Sequence, residues 1–167
     1  DLIRKWGSEM LSIVREFAFD SSHKLQWHKG KCANLHGHGY ILEVEVTGPL
    51  QTCVRTTQRS DAGMVMDFGD LDAIVKEEVI DVLDHHDLNE VLATVLDEMI
   101  TQPTAEIIAM WITSRLRAKL APMNISLESI KLWETRKSYV KITREKQLES
   151  RPTEELLKLE KRISTMA

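Results

Sequence analysis

The sequence predicts an α+β domain, and three observations carry that expectation. Apolar and polar residues alternate from Leu11 to Phe19 and again from Tyr40 to Thr47, the period-two pattern of half-buried strands. From Phe68 to Val82, and from Ile107 to Leu116, apolar residues recur instead at three- and four-residue spacing, as in helices with one buried face. Two more strand-like runs, Ile125 to Trp133 and Tyr139 to Thr143, complete an order of two strands, a helix pair and two strands.

Each element has local support. The first strand presents Ile13, Arg15, Phe17 and Phe19 on one face and leads to His23. Residues 24–34 hold three lysines, Gly30, Trp27 and His28 without a sustained period, and read as a loop. After a His-Gly-His turn at 36–38, Tyr40, Leu42, Val44 and Val46 form the apolar face of the second strand, which Gly48-Pro49 stops. A polar excursion over 50–62 precedes a short strand, Met64 to Met66. Asp67 suits the N-cap of the first helix, with Phe68, Leu71, Ile74, Val75, Val79 and Val82 for burial. That helix finishes in the polar run 84–87, and the second begins near Pro103. Residues 1–11 read as an extension, 12–145 as the domain, and 146–167 as a charged tail that starts as a helix at Pro152-Thr153-Glu154-Glu155.

Bulk properties weigh against several function classes. A net charge of −4 gives no global attraction to nucleic acid, so no nucleic-acid partner is expected. No run approaches the roughly 20 apolar residues of a membrane span, and the first residues do not resemble a signal peptide, so a cytoplasmic protein without membrane contact is expected. Cys32 and Cys53 are read as free thiols.

The chemistry gathers at one stretch. In extended backbone His36 and His38 project to the same side, and His23 on a neighbouring strand completes a three-histidine set. Three histidines leave an open tetrahedral position, the pattern of catalytic zinc. The competing reading is a group of ordinary histidines satisfied by the fold. Against it stand the concentration of four of the six histidines between positions 23 and 38, the thiol of Cys32 four residues before His36, and the pair His85-His86 after Asp84.

Six short motifs then fall in a known order. Ser-His at 22–23, Cys-x-x-x-His-Gly-His at 32–38, Met-Asp-Phe-x-x-Leu at 66–71, Leu-Asp-His-His-x-Leu-Asn at 83–89, Pro-Thr-x-Glu at 103–106 and Glu-Thr at 134–135 resemble the 6-pyruvoyl-tetrahydropterin synthase family. The resemblance runs from about residue 13 to about 144. The three-residue gap between Cys32 and His36 is similar to that of the bacterial 6-carboxy-5,6,7,8-tetrahydropterin synthases, whereas the animal pyruvoyl enzymes have a longer gap. The resemblance implies the tunnelling fold, in which a four-stranded antiparallel sheet carries two helices on one face and subunits close into an oligomeric barrel. The implied reaction takes 7,8-dihydroneopterin triphosphate to 6-carboxytetrahydropterin with release of acetaldehyde and triphosphate, early in the route to queuosine. Pyruvoyl formation, or a pterin- or purine-binding protein without turnover, are the alternatives.

The same resemblance distributes roles. It implies Zn2+ on His23, His36 and His38, with Cys32 as the base that takes a proton from the substrate. His85 shuttles or stabilises that proton, oriented by a carboxylate for which Asp84 and Glu134 are both candidates. Glu134 holds the pterin ring, whose 2-amino and N3–H edge offers two parallel donors to a carboxylate. Thr104 and Glu106 either line the pocket or simply start the helix, where such residues are favoured. His86 is left a structural role and Cys53 none, and Lys24, Lys29, Lys31 and Arg136 are the cations available to a triphosphate. Unpaired strand edges add the expectation of a homo-oligomer, a hexamer by resemblance.

Overall fold

The computed structural model describes residues 11–51, 59–93 and 102–144. Strand β1, Ser12–His23, pairs antiparallel with β2, His36–Thr47, along its whole length, so that Ser12 lies opposite Thr47 and His23 opposite His36. Strand β3, Ser126–Thr135, pairs with β2, and β4, Ser138–Thr143, pairs with β3. The sheet order is β1-β2-β3-β4, antiparallel throughout.

Alternation decides which residues enter the core. Phe19 of β1, Tyr40, Leu42, Val44 and Val46 of β2, and Ile130 and Leu132 of β3 are buried on one face. The helices cover that face. Helix α1, Phe68–Val75, continues through a π-helical turn, Lys76–Ile80, into α2, Asp81–Leu83; a short α3, Leu88–Val91, follows, and α4, Ala105–Leu120, is the long helix. Leu71, Ile74 and Val75 of α1 pack with Ile108, Ile112, Leu116 and Leu120 of α4 in the core formed with the sheet. Asp67 caps α1, its carboxylate accepting from the Gly69 N–H at 2.7 Å. Arg115 of α4 grips the π turn, donating from Nε to the Glu78 carbonyl at 2.8 Å and from Nη2 to the Glu78 carboxylate at 2.7 Å.

The expected α+β order stands, with local corrections. β1 runs four residues beyond Phe19, because Asp20 to His23 continue the ladder with β2. The His-Gly-His segment is not a turn before the second strand but its first three residues. Met64 to Met66 form no strand. Hydrogen bonds to Gln51 from both sides tie Gly63 and Met64, while Val65 and Met66 turn inward as core plugs. Phe68 does not bury; it is half-exposed, with the Arg15 guanidinium 5.7 Å over its ring. Residues 1–10, residues 52–58 with Cys53, and the tail 146–167 lie outside the described residues.

Candidate active site and metal centre

The ladder between β1 and β2 brings His23 opposite His36, and the period of two sets His38 on the same face. Their ligand atoms lie within 4.8 Å of one another, and Cys32 is not a member of that group. Backbone carbonyls fix two of the rings. His23 Nδ1 lies 2.9 Å from the Pro103 carbonyl and His36 Nδ1 lies 2.8 Å from the Asn34 carbonyl. A carbonyl only accepts, so in each ring Nδ1 carries the proton and Nε2 presents a lone pair. Both Nε2 atoms are buried without a hydrogen-bond partner.

Glu134 adds the site's negative charge. Its Oε1 lies 3.7 Å from His23 Nε2, lone pair toward lone pair, an arrangement that a cation at the histidines would relieve. Burial pulls the His38 imidazole below its ordinary range, opposed by the Glu134 charge and assisted by the other two imidazoles. A neutral ring is the form that binds a metal. Orphaned, convergent Nε2 atoms fit a metal ion.

A second feature sits at the edge of β1. The chain leaves α2 at Leu83 and turns sharply, with His85 in the left-handed region at φ 59°. The turn docks on β1 through the His85 N–H to the Asp20 carbonyl at 2.6 Å, the Ser22 N–H to the His86 carbonyl at 3.1 Å, and the Asp20 N–H to Asp84 Oδ1 at 2.9 Å. Asp84 Oδ2 meets His85 Nδ1 at 2.9 Å. The Asp20 N–H first, and then His85, hold the Asp84 carboxyl below its usual range. A cleft of about 500 Å³ is lined by both His38 and His85.

A family model, 6-pyruvoyl tetrahydropterin synthase, matches residues 12–145. The chain belongs to this family. A 6-carboxy-5,6,7,8-tetrahydropterin synthase of Haemophilus influenzae is 38% identical over 144 residues, 78% of this chain and 96% of that protein. One from Synechocystis is 38% identical over 126 residues, 75% of this chain and 88% of that protein. The solved 6-pyruvoyl tetrahydropterin synthase of Caenorhabditis elegans superposes with a TM-score of 0.63 at 23% identity, over 81% of this chain and 96% of that one, a likeness of fold.

In this member of the synthase family the predicted residues fall into four places. His23, His36, His38 and Glu134 converge. Asp84 and His85 form the edge turn, where Asp84 Oδ2 meets His85 Nδ1, whereas Glu134 faces His23. Cys32 is a half-buried free thiol in a 3-10 turn, Lys31–Ala33, whose carbonyl accepts from the Leu25 N–H at 2.8 Å. Thr104 caps α4, its hydroxyl accepting from the Ile107 N–H at 3.5 Å, and Glu106 lies exposed in the first turn, both as a helix start favours. Lys24, Lys29, Lys31 and Arg136 are exposed, and His86 Nδ1 bonds the Asp84 carbonyl at 2.7 Å. Sequence reasoning missed the carbonyls of Pro103 and Asn34, which carry no side-chain signal, and took Tyr40 as plain core although it lies one period beyond His38.

Proposed function

We propose that the chain is a zinc-dependent carbon–carbon lyase converting 7,8-dihydroneopterin triphosphate to 6-carboxy-5,6,7,8-tetrahydropterin, with release of acetaldehyde and triphosphate, on the way to queuosine-type 7-deazaguanines. The observation that carries this reading is the convergence of three imidazoles with orphaned Nε2 atoms beside Glu134, in a chain of this family. When bound, zinc supplies a Lewis acid that stabilises negative charge on substrate oxygens. His23, His36 and His38 would hold it.

The chain's own groups do the rest. Glu134 accepts the paired donors of the pterin edge. Cys32, free and half-buried, takes the substrate proton, and His85, oriented by Asp84, receives or stabilises it. The side chain of His85 is 77% exposed, which suits a site completed by a neighbouring copy in a homo-oligomer, a hexamer in this reading. A cytoplasmic location belongs to the same proposal; among the described residues no helix is long and apolar enough to cross a membrane.

Incubation with 7,8-dihydroneopterin triphosphate and mass analysis of the products tests it. Acetaldehyde with a carboxypterin is expected. A product that keeps the three-carbon side chain would replace lyase with pyruvoyl-forming activity, and tight pterin binding without product over hours would make the chain a binding protein.

A further inference from the structure

Among the described residues three buried side-chain polar atoms lack a hydrogen-bond partner: Nε2 of His23, Nε2 of His36 and the hydroxyl of Tyr40. A metal ion accounts for the two nitrogens and leaves the hydroxyl unexplained. Tyr40 is fully buried, its ring stacked on Phe19 at 5.0 Å and set edge-on to His23 and His38 at 6.3 and 5.7 Å between centroids. A buried hydroxyl without a partner is costly, so a partner is expected in the working state of the site.

The nearest carboxylate along the neighbouring strand is the candidate acceptor. The β2–β3 ladder pairs Leu42 with Leu132 and ends with Ile41 opposite Trp133, so Tyr40 and Glu134 are the next residues of their strands, Glu134 lying at the register shift between β3 and β4. At neighbouring positions on adjacent strands, side chains as long as tyrosine and glutamate are within reach of one another. The Glu134 carboxylate lies 3.7 Å from His23 Nε2, on the ring that Tyr40 meets edge-on. A phenolic hydroxyl is a hydrogen-bond donor at neutral pH.

We propose that Tyr40 is the positioning residue for Glu134, its hydroxyl donating a hydrogen bond that turns the carboxylate toward the donor edge of a pterin. The inference rests on the reading of Glu134 as the group that holds the pterin ring. Tyr40→Phe removes the hydroxyl and keeps the ring; Glu134→Gln and the double variant complete a cycle. Zinc content, thermal midpoint of the metal-free protein and neopterin binding by fluorescence titration are the readouts.

Tyr40→Phe is expected to keep the parent's zinc content and a metal-free midpoint at or above the parent's, because an unsatisfied buried group has gone. Neopterin binding weakens about tenfold, the size of one hydrogen bond to a charged group. In the Glu134→Gln background the same change costs less than about twofold, since the hydroxyl acts through the carboxylate. Unchanged neopterin binding in Tyr40→Phe overturns the inference, as does a full tenfold loss added to that of Glu134→Gln, or a loss of zinc. A parent protein that binds no neopterin removes the role of Glu134 and this one with it, which distinguishes that failure from a parent that binds and a variant that binds equally.

Discussion

Truncation of Leu83 tests whether packing beneath the edge turn sets the position of His85. Leu83 is fully buried at the end of α2, and its carbonyl accepts from the Ser21 hydroxyl at 2.5 Å and the His86 N–H at 3.2 Å. Leu83→Ala removes roughly three methylene equivalents at ~0.8 kcal/mol each, about 2.4 kcal/mol of transfer free energy. The residual cavity adds to this, for a total of about 3–4 kcal/mol. At roughly 2–4 °C per kcal/mol for a chain of this size, the thermal midpoint falls by about 6–16 °C. The control is Leu120→Ala, equally buried at the far end of α4. Both variants lose comparable stability in urea titrations, but only Leu83→Ala lowers kcat in folded protein, because only it loosens the turn carrying Asp84 and His85. A stability loss below about 1 kcal/mol would refute the packing argument. Equal loss of kcat in the two variants would refute the link from packing to His85.

Two further outcomes are expected. Thr104→Val costs about 1 kcal/mol by removing the α4 cap, Thr104→Asn restores most of it, and neither changes neopterin affinity; weakened binding in Thr104→Asn would return the hydroxyl to the pocket. Glu45 accepts from Ser129 at 2.7 Å and Ser12 at 2.8 Å, and these bonds hold its carboxyl below the ordinary value of 4.5. A depressed carboxylate stabilises the fold above its unfolded value and loses that contribution as pH falls through its folded one. The stability gap between the parent and Glu45→Gln should therefore be constant well above pH 4.5 and close on acidification, and a gap that widens in acid contradicts the assignment.

Much of this molecule was legible in the sequence because its signals are periodic. The alternation through Tyr40, Leu42, Val44 and Val46 and the helical spacing through Leu71, Ile74, Val75 and Val79 gave the burial observed at each of these positions. The histidine cluster was legible for the same reason, since two-residue spacing on a strand sets side chains on one face. Met64 to Met66 misled because a short apolar run bounded by turn residues serves a core plug as well as a strand. The π turn at Lys76–Ile80, the left-handed His85 and the carbonyls behind His23 and His36 depend on tertiary contact, which no local pattern encodes. The choice between Asp84 and Glu134 as the partner of His85 also waited on the fold: the edge turn carries Asp84 with His85, whereas β3 carries Glu134 to His23.

The central claim is an open three-histidine centre with a separate thiol base, and metal analysis beside a turnover assay on Cys32→Ala tests it most directly. With His36→Ala as the reference that loses both metal and activity, Cys32→Ala is predicted to keep the parent's zinc content while turnover falls by ~10² to 10⁴, the contribution of a positioned general base. Release of zinc from Cys32→Ala would contradict the account, because the thiol would then be a fourth ligand closing a structural site.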